Sequence, residues 1–204
     1  MAKGGDFERT ICKELSLWWT YGKRDDVFWR SSQSGGRATT RHKQGKSTAG
    51  SCGDIAAIDP KGLPLLDLMT IEVKRGYNSE TLANLLERNQ KAAQQMWEAW
   101  IQQAHEAHER AGSFSWIIIA KRDRREDIVL MHRDLADILQ PYWLFRPYPL
   151  FQVRSVIRFK HVEKKAKKET IIYTAHRMKL VAMTWASFKE CLTPDIIRQA
   201  GEKA

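Results

Sequence analysis

Three side chains in this sequence could act together on a phosphate group: Asp54, Glu72 and Lys74. They lie in two short, apolar stretches, Asp54-Ile55-Ala56-Ala57-Ile58 and Leu68-Met69-Thr70-Ile71-Glu72-Val73-Lys74, with Asp59-Pro60-Lys61-Gly62 and Pro64 between them. The pattern predicts an antiparallel hairpin turning near Leu63, which sets Ile58 opposite Leu68, Ala56 opposite Thr70 and Asp54 opposite Glu72. Side chains two apart share a strand face, so Thr70, Glu72 and Lys74 point one way while Ile71 and Val73 enter the core. One or two carboxylates are what magnesium usually takes from a protein, with waters and substrate phosphate completing the shell. Such a cation acts as a Lewis acid on phosphate and on water, and a neighbouring lysine orients the water or stabilises developing negative charge. The plainer reading makes Glu72 and Lys74 a solvated strand face.

Other elements must hold these residues in place. Phe7, Ile11, Leu15 and Trp18 keep helical spacing over residues 6–21, with Asp6 as the expected N-cap. Trp18 and Trp19 cannot both face inward on one helix, so one is expected to be half exposed. Val27-Phe28-Trp29-Arg30 reads as the first strand of the sheet. Ser31 to Gly53 then holds five glycines, five serines and three threonines with Arg37, Arg41, Lys43 and Lys46, a composition that cannot pack. A loop this long within a compact domain is usually functional. Its glycines allow close backbone approach and its cations can contact phosphates, so it is expected to be a flexible, DNA-gripping flap.

No glycine or proline interrupts residues 77–111, and Leu82, Leu85, Leu86, Ala93, Met96, Trp97, Trp100, Ile101 and Ala104 trace an apolar stripe. A helix over 79–111 would be about 50 Å long, which means that it breaks or that its far end meets a partner. Gln90 and Gln94 could look into the site from it. His105 and His108 stand with Glu106 and Glu109 but do not form H-E-x-x-H, because the second histidine comes one residue early. Phe114–Ala120 is a central strand by its continuous apolar run, and Ile128–Met131 a shorter one. Asp134–Leu139 reads as a helix closed by Pro141. Two further strands, 153–159 and 170–174, flank the basic turn Lys164, Lys165, Lys167 and Lys168, with a third at 179–183 and two closing helices.

Asp54, seventeen residues, then Glu72-Val73-Lys74 resembles the bipartite signature of the PD-(D/E)xK nucleases. The order of a helix bearing Glu8, a Gly/Ser-rich basic loop, the aspartate, the Glu-x-Lys strand and a following helix is similar to the Holliday-junction-resolvase branch of that superfamily, over residues 4–121. The resemblance implies an α/β restriction-endonuclease-like core (α-β-β-β-α-β, mixed sheet) over residues 1–140, followed by a β-rich extension, 141–204, packed on it. It also implies a metal-dependent endonuclease acting on branched DNA, with Mg2+ as cofactor and Mn2+ able to substitute. Asp54, Glu72 and Lys74 would be catalytic, with Glu8 joining Asp54 and Glu72 as a metal ligand. In the resolvase branch a serine of the loop can assist catalysis, which points to Ser32 or Ser34. Arg30, Arg75 and the loop and turn cations would bind DNA. Two departures stand out: Gly53 occupies a position where the family often has proline, and the Q-x-x-x-Y pattern of exonuclease-like relatives is absent. The rival readings are a restriction or repair-type nuclease on linear duplex and a binding protein that no longer cuts.

Charge supports a polyanionic partner. The 204 residues carry a net charge of +10, of which residues 22–50 hold +5 and residues 151–180 hold +7, leaving about −2 for the rest. Cys12, Cys52 and Cys191 form no C-x-x-C and leave an odd count, which argues for a reducing, cytoplasmic setting and against a disulfide framework. No apolar run reaches membrane-spanning length. Symmetric cutting of two strands needs two sites related by a twofold axis, so a homodimer is expected, with Met96, Trp97, Trp100 and Ile101 as its contact patch.

Overall fold

A computed structural model describes residues 3–31, 52–89, 91–165 and 168–204. Helix α1 (Lys3–Trp19) runs straight from the N-terminal end, and its Phe7, Ile11, Leu15 and Trp19 form one fully buried stripe at i, i+4 spacing. It starts three residues before the expected cap, leaving Asp6 inside the first turn, where its charge complements the helix dipole. Trp19 takes the core position. Trp18 is half-buried against Phe188 and donates from Nε1 to the Lys189 carbonyl at 3.0 Å.

Strands β1 (Phe28–Arg30) and β2 (Ile55–Ala57) pair with each other, antiparallel, as a two-stranded ribbon. The expected hairpin between β2 and the next strand does not form. Asp59 accepts from the Lys61 amide at 2.9 Å and starts a 3-10 turn at Pro60–Gly62, which leads into the short helix α2 (Leu63–Leu68). Both prolines stand in the first turn of these helices, where a missing N–H costs nothing. They are as much helix starters as turn formers, and here the helical role wins.

Strand β3 (Met69–Arg75) opens a five-stranded mixed sheet of order β3-β4-β5-β7-β6. It is parallel to β4 (Ser115–Lys121), and the remaining neighbours are antiparallel: β5 (Ile128–His132), β7 (Lys168–Thr184) and β6 (Leu150–Lys165). The last two strands are thus part of the same sheet as the first three. The β1–β2 ribbon is tied to its outer edge by one backbone bond, Asp54 N–H to Ile71 C=O at 2.9 Å, so Asp54 still arrives beside β3.

Ile71 and Val73 face a core shared with α1, α2, α4 (Arg133–Leu139), α5 (Trp185–Cys191) and α6 (Pro194–Gly201). The other face of the sheet is covered by α3 (Met96–Ala111). The long helix expected over 79–111 therefore breaks. Leu82–Leu85 is a 3-10 turn, and Glu98 reaches back to accept from the Gln95 amide at 2.6 Å, a cap that fixes the helix start at Met96. Trp97, Trp100 and Ile101 are buried against Trp116, Ile118 and Leu130 in this chain's own second core, with only Met96 of the expected dimer patch exposed. That patch is not an interface.

Helix α3 also protects the sheet. Strand β6 is an edge, and the backbone groups of two of its residues are met by α3 side chains: Arg158 N–H donates to Glu98, and Gln102 both accepts from the Lys160 N–H and donates to the Lys160 carbonyl. At those two residues the edge is closed to pairing with another chain. No helix among the described residues is long and apolar enough to cross a membrane.

Candidate active site

The site forms where β2, β3 and α3 meet. Asp54 stands just before β2, and its Oδ2 accepts from the Val73 N–H at 2.8 Å, so the carboxylate is held by the backbone of the strand that carries Glu72. Glu72 and Lys74 project from β3 towards α3, as their alternation with Ile71 and Val73 requires. Lys74 Nζ lies 2.6 Å from Glu72 Oε2 and 3.5 Å from Asp54 Oδ2. A fourth residue joins them. Gln103 of α3 donates from Nε2 to Glu72 Oε2 at 2.7 Å and accepts from Lys74 Nζ at 3.1 Å. The sequence offered Gln90 and Gln94 for this role, but Gln94 binds Gln102 and the Arg158 carbonyl, and Gln90 lies outside the described residues. Gln103 stands three residues after Trp100, and only the true start of α3 shows which glutamine faces β3.

Burial sets the electrostatics. Glu72 is 2 % exposed, and desolvation together with the Asp54 charge pushes its carboxyl up to about 7, against the opposing pull of Lys74. Burial works against the Lys74 ammonium, yet Glu72 and Asp54 outweigh it and raise its pKa. Lys74 therefore stays charged, and Glu72 is the group that exchanges a proton near neutrality. Between the ordinary carboxyl range and about 7, the folded protein holds a proton that the unfolded chain has released. Stability of the metal-free protein should fall as pH rises through that window and level off above it. Melting temperatures in a chelator from about pH 5 to about pH 8 check this: Glu72→Gln should gain on wild type as pH rises, and parallel curves would contradict it.

Gly53 has a specific task. Its φ is +84°, and a Cβ there would lie 2.7 Å from Thr70 Cγ2 and 2.8 Å from the Ile71 carbonyl oxygen. Proline, fixed near φ −65°, cannot take this conformation, which accounts for the departure at this position. Gly53→Ala should therefore move Asp54 away from β3 and remove most activity, while Gly22→Ala, at φ +80° with open space around it, should cost only the backbone strain of about 1 kcal/mol. Thermal melts and cleavage rates of the two variants make the comparison.

The other expected site residues are placed as follows. Glu8 is ion-paired with Arg30 on β1. Both lie near Cys12, whose thiol is pushed up to about 12 by burial and the charges of Glu8 and Asp54, with Arg30 opposing. Among the described residues no group of three or more His, Cys, Asp or Glu side chains is gathered to hold an ion. The donor set that does converge, two carboxylates bridged by one ammonium, matches magnesium's need for a few hard oxygen ligands. Arg75, at the end of β3, lies 6.0 Å from the Phe7 ring, and its Nε is buried without a hydrogen-bond partner among the described residues. Ser32, Ser34, Arg37, Arg41, Lys43, Lys46 and Lys167 lie outside the described residues, as do the side chains of Lys164, Lys165 and Lys168. A cavity of about 150 Å³ opens beside Lys74, lined by Tyr77, Trp97, Trp100 and Lys121.

Compared with known proteins, the chain matches one family model, described as "Phage putative PDDEXK endonuclease", over residues 1–198. No curated protein and no solved structure matches it. The match covers nearly the whole chain. The chain belongs to the phage PDDEXK endonuclease family.

Proposed function

We propose that the protein is a metal-dependent endonuclease that hydrolyses DNA phosphodiester bonds. The observation that carries this reading is the buried Asp54–Glu72 pair bridged by Lys74 Nζ at 3.5 and 2.6 Å. Asp54 and Glu72 would hold a divalent cation, Mg2+ or Mn2+, whose charge polarises the phosphate. Glu72 must give up its proton to do so, and Lys74, already charged, would orient the attacking water and stabilise the negative charge that develops on the phosphoryl oxygens. Gln103 fixes the Glu72 carboxylate and the Lys74 ammonium in one geometry. Glu8 of α1, ion-paired with Arg30, would join them once a cation is bound, and Ser32 or Ser34 of the loop would assist catalysis. The cations of that loop, of the Lys164–Lys168 turn and Arg75 hold the DNA backbone.

Branched DNA is the substrate favoured by the resemblance to junction resolvases, cut by a homodimer. Burial of the Trp97–Trp100–Ile101 patch favours a second reading, nicking of linear duplex by a monomer. Cleavage of a four-way junction and of linear duplex with the same arms, in Mg2+ and in chelator, tests the first reading, with light scattering to give the mass. Cation-dependent cleavage, faster on the junction and by a dimer of the 23.6 kDa chain, is expected. Equal rates by a monomer would support the second reading, and no cleavage with either Mg2+ or Mn2+ would overturn both.

A further inference from the structure

Strands β6 and β7, of 16 and 17 residues, pair continuously from Leu150↔Met183 to Lys165↔Lys168, whereas β5 pairs with β7 only from Leu180 to Thr184. At ~3.3 Å per residue, the part of β7 before Leu180 runs for about 40 Å as a two-stranded arm. Its two faces differ. Residues opposite each other on an antiparallel pair share a face, so Val153, Ile157, Phe159, Met178 and Leu180 lie together, and these are buried beneath α3. The reverse face, which continues from Val181 and Met183, loses its helical cover where Arg133 of α4 reaches Gln152.

From there outward that bare face carries Arg154 beside Lys179, Arg177 beside Val156, Arg158 beside Ala175, and Lys160 beside Tyr173. All but the half-buried Arg158 are exposed. The nearest carboxylate at its base, Asp137, is bound to Arg133, and the first along it is Glu169, beyond the apolar pair Val162 and Ile171. Arg158 donates from its guanidinium to the Ala93 carbonyl at 3.4 Å, and the four exposed cations, Arg154, Lys160, Arg177 and Lys179, repel one another, an arrangement that a bound polyanion relieves. A second copy of a chain with net charge +10 would add repulsion rather than relieve it.

We propose that this face of the arm is a duplex-DNA docking surface, in which Arg154, Lys160, Arg177 and Lys179 contact backbone phosphates and Tyr173 packs on the strand. The proposal rests on the reading of the chain as a DNA nuclease. Because the face is on the side of the sheet opposite Glu72 and Lys74, at the far edge from β3, it grips DNA away from the bond that is cut. It therefore adds affinity without chemistry, and its contacts carry no base information.

The triple variant Arg154→Gln, Arg177→Gln, Lys179→Gln tests this, beside a charge-matched control, Lys23→Gln, Arg146→Gln, Lys203→Gln, that removes three cations from other surfaces. Binding of a labelled 30-bp duplex is measured by anisotropy across salt in an Asp54→Asn background, and single-turnover cleavage in the active background. The arm variant should lose affinity on the order of tenfold or more, and its slope of log K against log salt should flatten by about 3. At saturating DNA its rate should stay within about twofold of wild type, because only binding is touched. Unchanged affinity and slope, or an equal loss in the control, would overturn the docking surface and leave the nuclease reading intact. Wild-type protein that binds with the predicted slope but cuts nothing would overturn the nuclease reading and leave the docking surface standing. A monomer–dimer equilibrium shifted by the arm variant, with DNA affinity unchanged, would assign the face to self-association and overturn the proposal.

Discussion

Asp54→Asn or Glu72→Gln is expected to lower single-turnover cleavage by about a thousandfold or more while DNA affinity stays within a few-fold. Either change removes one of two carboxylates from a site that has no third converging on it among the described residues. The cation they would hold contributes several kcal/mol of charge stabilisation, and each 1.36 kcal/mol is a tenfold rate. Phosphate contacts elsewhere supply most of the binding, so affinity survives. Glu72→Gln carries a second signature. It replaces a buried charge by a neutral group of the same shape, so the metal-free variant should melt no lower than wild type above neutral pH, even as activity vanishes. A variant that kept wild-type rates, or one that lost activity by unfolding, would contradict the assignment.

Lys74→Met should act in the opposite sense on stability. It is expected to slow cleavage by roughly 100- to 10,000-fold, the range for a positioned group that orients a proton transfer or stabilises an oxyanion. It also leaves Glu72 and Asp54 buried without the ammonium that joins them, and breaking a buried pair costs ~3–5 kcal/mol. Added Mg2+ should return much of that stability, since a cation again offsets the two carboxylates, but should not return the rate. Denaturant melts with and without Mg2+, run beside cleavage assays, separate these effects. A Lys74→Met protein as stable as wild type without metal would show that the ammonium is not what holds the carboxylates together.

The placement of the site's side chains was legible in the sequence where strand alternation governs it. Glu72 and Lys74 share the face that the period of two assigns, and Asp54 reaches them through the very strand opposite which it was expected. The connection between was misread because Pro60 and Pro64 start helices as readily as they make turns, and only the packing of Gly62 against Phe28 and Val27 chooses between these. The long helix was misread for a related reason. Residues 79–95 have no breaker, and what stops the helix is a tertiary bond set: Glu98 caps Gln95 while it also accepts from Arg88 and from the Arg158 amide of β6. With that start fixed, Trp97 and Trp100 turn into the second core and Gln103 turns to Glu72. A stripe of tryptophans cannot tell by itself whether the chain's own sheet or a partner covers it. Nor could residue order place β7 beside β5, a pairing across more than forty residues that makes the basic hairpin continuous with the sheet.

The central claim, that Asp54 and Glu72 hold a catalytic divalent cation, is tested most directly by anomalous diffraction from crystals of the full chain soaked in Mn2+, with the same soak on Glu72→Gln. One strong manganese peak within ~2.0–2.6 Å of both carboxylates, with Lys74 Nζ displaced from between them and no peak in the variant, is the predicted result. Crystals of cleavage-competent protein that bind manganese elsewhere, or show no peak at these two residues, would contradict it.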